Sequence, residues 1–259
     1  MPIHRSEPSQ THKSCIVQKF SSLISLTGDE ADLLEALERH AQPVAAGELM
    51  TSMEQDYPPL MVVKSGWLIS ERVDPEGHRR IVRTHHPGDV IGFTDLSFSE
   101  TPCQTFAKSN ATVCPFTRSS LKTLLSKSPR LGSLLLALSV IEQAMQDDRT
   151  LVTGRNHAPG KIALFILQTI EKLQLVNHHS DEQFYCPMTQ SDIGDLVGMT
   201  SVHVSRTFKK LERARCVRRE KSFIQILDEP TLERLSGYRS RLEEYDLSWL
   251  PDAGPITPL

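Results

Sequence analysis

The segment that most restricts the fold of this chain is the run QSDIGDLVGMTSVHVSRTFKKL, which begins at Gln190 and ends at Leu211. Gly194 lies where two short helices would touch, and Gly198 lies where the turn between them requires a positive φ. Apolar residues supply a shared core at Ile193, Val197, Met199, Val204 and Phe208. This combination of glycines and apolar positions predicts a helix-turn-helix.

The second helix of this motif would present its side chains to the major groove of a DNA duplex. Thr200 or Ser201 can cap that helix. We predict contacts to bases from Ser201, Val202, Ser205 and Arg206. Arg206 should be the strongest, since its guanidinium can pair with guanine O6 and N7. We predict contacts to phosphates from Thr189, Thr200, His203, Lys209, Lys210 and Arg218. The alternatives are a phosphate contact or solvated charge at Arg206, and a solvated face at Lys209 and Lys210.

The charge distribution is compatible with a nucleic-acid partner, although the formal net charge of the whole chain is −3. Between Arg206 and Lys221 there are eight basic residues and two acidic ones. A local basic face is sufficient for binding DNA. The alternation from Val217 to Leu227 predicts a β-hairpin wing, which would make the module a winged helix-turn-helix. Arg218, Arg219 and Lys221 would then line the phosphates or remain hydrated.

Short strand-like runs dominate the chain between Pro43 and Phe116, and turn sequences such as Asp74 to Gly77 separate them. Many short strands at regular spacing predict an antiparallel roll. A short helix capped by Thr27 should precede the roll. We therefore expect an α+β protein in which an N-terminal antiparallel β-roll is followed by a long helix and a C-terminal winged helix-turn-helix.

The long helix is predicted from apolar residues spaced by threes and fours after Pro129, with one interruption at Asp148. This spacing is typical of a two-stranded coiled coil, and it predicts homodimerisation through Leu131, Leu134, Leu138, Ile141, Met145, Asp148 and Val152. The alternative is a long helix packed along its own domain. If Asp147 and Asp148 lie near the seam, like charges would weaken the dimer. The alternative is that both carboxylates point to solvent.

We divide the chain into a flexible arm (1–19), a sensor-like roll (20–127), a dimerisation helix (128–156), a DNA-binding domain (157–230) and a C-terminal extension (231–259). Pro159 and Gly160 mark the hinge before the DNA-binding domain. The sequence provides no functional assignment for the extension.

Several classes of protein and site are not supported by the sequence. There is no nucleophile elbow, phosphate loop or HExxH motif, so we expect no enzyme activity. The five cysteines show no CxxC spacing, so we predict neither a zinc site nor a disulfide framework, and isolated thiols in a reducing compartment are the favoured interpretation. Neither a membrane-spanning run nor a signal-peptide core is evident, so we expect a cytoplasmic protein.

In order along the chain, these elements resemble the Crp/Fnr superfamily over about residues 20 to 228. The most specific matches are HHPGDVIGF at 85–93 and MTQSDIGDLVGMTSVHVSRTFKKLE at 188–212. The resemblance implies base-contacting roles for Ser201, Val202 and Arg206, a homodimer on a palindromic operator, and RNA polymerase as a partner. Many family members carry Glu at the position of Val202, so we expect an altered half-site.

The departures from the family pattern concern its effectors. Cyclic-nucleotide binders place Glu after the Gly of PGDxIG and an Arg about ten residues later. Here Phe93 follows Gly92, and no Arg lies between Asp95 and Asn110. An anionic cyclic phosphate would lack its counter-charge, so we predict that cyclic AMP is not the effector.

Other cofactors find little support in the sequence. Only Cys15 lies near the start, where the iron-sulfur branch has three cysteines, and we predict no cofactor. Haem binding at His78, His85 or His86 is an alternative to their expected role as exposed turn residues, and oxidation sensing is an alternative for the cysteines. The alternative function is a small-ligand sensor that acts through protein contacts, with a vestigial DNA module.

Overall fold

The computed structural model describes residues 14–53, 55–154, 157–176, 183–242 and 244–253. The described chain begins with helix α1 (Cys15–Ser21), whose Ile16, Val17 and Phe20 are buried. The predicted flexible arm of residues 1–19 is therefore wrong at its C-terminal end, because this helix packs its apolar residues into the core; residues 1–13 lie outside the described chain. Helix α2 (Gly28–Glu35) begins at the predicted cap.

The roll consists of eight antiparallel strands in two four-stranded sheets. The strands are β1 (Gln42–Val44), β2 (Leu49–Thr51), β3 (Leu60–Ser65), β4 (Leu68–Val73), β5 (Arg79–His85), β6 (Val90–Ile91), β7 (Gln104–Ala107) and β8 (Ala111–Phe116). One sheet has the order β1-β8-β3-β6 and the other the order β2-β7-β4-β5. In the first sheet, Val62 pairs with Cys114. The predicted roll is confirmed.

Two helices follow the roll, α3 (Arg118–Lys127) and the long helix α4 (Pro129–Gly154). Leu131 and Leu134 are fully buried in the core that α4 shares with α1 and the roll. No single helix in the described chain is long and apolar enough to span a bilayer. Only α3 and α4 taken together pass that test, and they are bent by 116° at their junction.

The predicted dimerisation seam is wrong, because most of its positions face the protomer's own core. Leu131, Leu134, Met145 and Val152 are buried within the single chain. Leu138 packs partly buried against the core, and Asp148 is held by Arg241. The repeat therefore reflects the alternative, a helix packed along its own domain. The described part of α4 ends at Gly154; residues 155 and 156 of the predicted helix lie outside the described residues.

The C-terminal domain combines four helices with a small sheet. Its elements are α5 (Ala158–Gln174), β9 (Gln183–Tyr185), α6 (Gln190–Val197), α7 (Ser201–Arg213), β10 (Val217–Glu220), β11 (Phe223–Ile226) and α8 (Glu229–Ser236). The sheet order is β10-β11-β9, and β10 and β11 form the predicted wing. The expected boundary at residue 230 falls inside α8, whose Leu232 is fully buried in the core of this domain.

The roll and the C-terminal domain share one apolar core. Trp67 and Ile81 of the roll belong to the same buried cluster as Phe165 of α5 and Phe184 of β9. The rings of Trp67 and Phe184 are stacked, with their centroids 6.4 Å apart. This contact fixes the position of the helix-turn-helix relative to the roll.

Candidate DNA-binding interface

The two glycines of the helix-turn-helix have the roles that the sequence predicts. A Cβ atom on Gly194 would lie 2.3 Å from the carbonyl oxygen of Met199, so only glycine fits between the two helices. Gly198 ends α6 with φ of 68° and ψ of 50°, in the left-handed region that favours glycine. The amide of Met199 donates to the carbonyl of Gly194 at 2.9 Å. Helices α6 and α7 are thus joined by a tight turn.

Helix α7 has one buried face and one exposed face. Thr200 caps it, since its hydroxyl oxygen accepts from the amide of His203 at 3.3 Å. Each residue rotates the helix by about 100°, which puts Val204, Thr207, Phe208 and Leu211 in the core. The opposite side is exposed to solvent and carries Val202, Arg206, Lys209 and Arg213. An apolar residue such as Val202, which is 57% exposed here, is available for contact with a partner.

The other predicted side chains flank that exposed side. Ser201, His203 and Lys210 are exposed, and Ser205 is half-buried at the edge of the face. All four predicted base contacts therefore lie on accessible parts of one helix. Arg213 lies on the same face and was not among the predicted contacts; its spacing of seven residues from Arg206 is the signal that could have identified it.

The positive charge of this face is not neutralised within the protein. Among the described residues, no ion pair involves Arg206, Lys209, Lys210, Arg213 or Arg218. Because no carboxylate of the protein neutralises these side chains, their positive charge remains available to an anionic partner. A convex helix with an uncompensated cationic face fits the phosphate-lined major groove of duplex DNA.

The wing supplies part of the predicted phosphate contacts. Arg218 is exposed on β10, where its guanidinium donates to the side-chain oxygen of Gln225 at 3.3 Å. Arg219 is only partly exposed, and its guanidinium carbon lies 4.9 Å from the centroid of the Phe208 ring. Thr189 caps α6, and its hydroxyl donates to the carboxylate of Asp192 at 2.7 Å. A phosphate contact from Thr189 would have to replace that bond.

Helix α6 is attached to the roll by a network of ion pairs that the sequence did not predict. Arg79 of β5 contacts Asp192 at 2.8 Å, Asp195 at 2.6 Å and Glu71 at 3.2 Å. Lys108 contacts Asp192 at 2.8 Å. Burial raises the pKa of Asp192, but the hydrogen bonds from Lys108, from Thr189 and from Arg79 outweigh it and lower the pKa to about 2. The network connects the roll to the helix that precedes α7.

A cavity of about 480 Å³ lies between the roll and α4. Its walls include Phe93, which follows Gly92 where a cyclic-nucleotide site would need a carboxylate, and Leu135 of α4. Lys172 at the wall is paired with Glu142 at 2.5 Å. Arg83 also lines the cavity, and no ion pair of Arg83 is found among the described residues. Arg83 therefore gives the cavity a cation from β5, although the segment between Asp95 and Asn110, where a cyclic-nucleotide binder would have its Arg, has none.

The histidines near the roll signature are not exposed turn residues, contrary to expectation. His85 and His86 are buried, and burial lowers the pKa of both, that of His85 to about 4. His85 is 2.7 Å from the hydroxyl of Ser70. His86 packs edge-on against Trp67, with ring centroids 4.3 Å apart. His78 is exposed beside Asp74. His85 and His86 are therefore core residues.

The cysteines are buried at all five positions, and none of them is in a disulfide within the described residues: Cys15, Cys103, Cys114, Cys186 and Cys216. Burial raises the pKa of each thiol, to about 11 for Cys15, Cys114 and Cys186. A thiol with a raised pKa is a poor nucleophile and metal ligand at neutral pH.

Two family models match the chain in the order of its domains. A cyclic nucleotide-binding domain covers residues 42–128, and a Crp-like helix-turn-helix domain covers residues 160–235. The chain belongs to the Crp/Fnr family of transcription regulators. The matched ranges contain the roll with its cavity and the helix-turn-helix with its wing. This Crp/Fnr regulator therefore carries both modules of its family.

Its curated relatives are similar along most of their length. The chain is 24% identical over 225 residues to the fumarate and nitrate reduction regulatory protein of Yersinia pestis, covering 87% of this chain and 90% of the relative. It is 24% identical over 233 residues to the transcriptional activator protein anr of Pseudomonas aeruginosa, covering 90% and 95%. The alternative hypothesis, a sensor with a vestigial DNA module, is not favoured by these relatives.

Solved structures share the fold. FixK2 from Bradyrhizobium japonicum is 23% identical and superposes with a TM-score of 0.68, covering 77% of this chain and 98% of that structure. A transcriptional regulator of the CRP family from Thermus thermophilus superposes with a TM-score of 0.58 at 16% identity, covering 76% of this chain and 97% of that structure.

Proposed function

We propose that this Crp/Fnr regulator acts as a homodimer that binds a palindromic operator through α7 of each copy. The uncompensated cationic face of α7 is the single observation that carries this proposal. Two symmetry-related recognition helices about 34 Å apart would enter successive major grooves on one side of the duplex. Because the proposed target is DNA, we expect the protein to act in the cytoplasm, with RNA polymerase as a partner.

The contacts to bases are assigned to Ser201, Val202, Ser205 and Arg206. All lie on the accessible surface of one helix, and Arg206 has the planar donors that pair with guanine. Val202 can contact only a thymine methyl group or no base at all, so the half-site should differ from the common family consensus. The contacts to phosphates are assigned to Thr189, Thr200, His203, Lys209, Lys210 and Arg218, and we add Arg213 to them.

Selection of binding sites from random DNA tests this assignment. The wild-type protein should select an inverted repeat. Arg206→Ala should lose about 1–3 kcal/mol of binding free energy and lose the preference at one position in each half-site. Lys122→Ala, which removes an exposed cation of α3, is the matched control and should select the unchanged motif. An unaltered motif from Arg206→Ala would contradict the assigned role.

The effector is proposed to differ from cyclic AMP. Phe93 lines the cavity at the position of the missing carboxylate, so the ribose hydroxyl groups would lack their acceptor. Arg83 supplies a positive charge from a different strand, which favours an anion of another shape. Isothermal titration with cyclic AMP should show no binding, whereas a dissociation constant in the micromolar range would refute this part of the proposal.

A further inference from the structure

The C-terminal segment, which consists of the described residues 239–242 and 244–253, lies along α4 in the structure. Its Arg241 donates two hydrogen bonds to the carboxylate of Asp148, from Nε to Oδ2 at 2.9 Å and from Nη2 to Oδ1 at 2.6 Å. Further along, Leu247 and Leu250 pack against the core cluster that contains Leu131. A charged contact thus holds the segment to α4 at Asp148, and apolar contacts hold it to the core cluster to which α4 contributes.

Helix α4 has three distinct sides, since each residue turns it by about 100°. One side is buried in the protomer and includes Leu131, Leu134, Met145 and Val152. A second side faces the C-terminal segment and includes Ala137, Ile141 and Asp148. The third side is open to solvent, where Leu136, Val140 and Leu151 are each more than half exposed. The segment therefore lies beside the open side and does not cover it.

The open side has the spacing of a helix-pairing surface. Exposed residues succeed one another at intervals of three and four: Leu136, Val140, Gln143, Asp147, Leu151 and Gly154. This stripe extends for about 27 Å at 1.5 Å per residue. A second helix with the same spacing is the natural complement of such a stripe, and α4 of a second copy has it by symmetry.

Pairing along α4 alone would be weak in its middle. Gln143 and Asp147 are exposed there, and two Asp147 carboxylates brought together would repel each other. Leu151 is exposed beyond Asp147, and Leu136 with Val140 supplies the apolar contact at the N-terminal end of the stripe. There α4 and the C-terminal segment border a groove of about 400 Å³, whose far wall includes Tyr245 and Trp249. Trp249 is itself 52% exposed.

We propose that the C-terminal segment is part of the dimer interface and that Trp249 of each copy packs against α4 of the other copy. The inference rests on the proposed homodimer and adds a second contact surface to it. The occupant of the groove is the N-terminal half of the partner's open α4 side. The segment extends the apolar area of the interface at the end where α4 offers no repelling charge.

Sedimentation equilibrium of the full chain tests the inference across three variants. Trp249→Ala should raise the dimer dissociation constant on the order of 30-fold, because large aromatic side chains dominate interface energetics. Phe98→Ala is the matched control, since Phe98 is 57% exposed on the roll, and it should leave the constant unchanged. Leu136→Glu removes the proposed α4 contact directly and should give monomers. Far-UV circular dichroism spectra that match the wild type would verify that each variant folds, since the thermal midpoint itself falls when a dimer dissociates.

The outcomes separate this inference from the function that it extends. A dimer that Leu136→Glu dissociates and Trp249→Ala leaves intact would overturn the inference and keep the homodimer. A wild-type chain that remains monomeric even on operator DNA would overturn both. Tighter association of Trp249→Ala would show that the segment competes with the partner, which also overturns the inference.

Fluorescence gives an independent measurement, because the chain has two tryptophans and Trp67 is buried. Acrylamide quenching should therefore report mainly on Trp249. Quenching should decrease as the protein concentration rises through the dimer dissociation constant. Equal quenching in monomer and dimer would contradict the proposed packing of Trp249.

Discussion

Replacing Arg79 with alanine tests whether the roll and the helix-turn-helix are joined by charge as well as by apolar contact. Arg79 serves three carboxylates, those of Glu71, Asp192 and Asp195. Asp192 is 3% exposed in its side chain, so the loss of a cation leaves a buried negative charge with fewer partners. Removing one partner of a fully buried ion pair costs about 3–5 kcal/mol.

Two features reduce that figure for this protein. The Arg79 side chain is 35% exposed, so water screens part of the interaction, and Lys108 remains 2.8 Å from Asp192. We therefore expect Arg79→Ala to lower the free energy of unfolding by roughly 1.5–3 kcal/mol. Urea denaturation at pH 7 measures this change. Arg79→Lys keeps the charge but cannot contact all three carboxylates. Its free energy of unfolding should therefore lie between those of the wild type and Arg79→Ala.

The control for this prediction is Arg72→Ala, which removes an exposed arginine of β4 that has no ion pair in the described chain. A double-mutant cycle between Arg79→Ala and Asp195→Asn should give a coupling energy of about 0.5–2 kcal/mol. If Arg79→Ala is no more destabilising than Arg72→Ala, or if the coupling is zero, the network does not join the two domains energetically.

Three further predictions concern the turn, the core and the DNA face. Gly194→Ala should destabilise the fold by about 1–3 kcal/mol and weaken DNA binding, since its Cβ would lie 2.3 Å from a backbone oxygen. The control Gly28→Ala, which has open space around it, should change neither the stability nor the DNA binding. Burial lowers the pKa of His85 from 6.5 to about 4, so the stability from its neutral form is complete above pH 6.5 and is lost as pH falls toward 4. Urea unfolding should show a loss of about 2 kcal/mol between pH 7 and pH 5, which His85→Gln should flatten. Lys210→Ala should reduce the slope of log affinity against log salt by about 1, whereas Lys122→Ala should leave it unchanged.

Local chemistry was sufficient to predict the helix-turn-helix. Gly194, Gly198 and the cap at Thr200 act through neighbours within a few residues, so the sequence contains all of their constraints. The same holds for the strands of the roll, whose turns carry their own glycines and prolines. Wherever the structural cause lies close by in the chain, the sequence determined the element and its bounds to within a few residues.

The partner of each surface was decided only by the tertiary structure. Apolar spacing along α4 shows that one side must be covered, but the same pattern fits a second helix and the protomer's own roll. The structure assigns Leu131 and Leu134 to the roll. Arg79 meets Asp195 across 116 residues, and Arg241 meets Asp148 across 93. No local rule predicts such pairs, because their distance depends on how separate elements pack after each has formed.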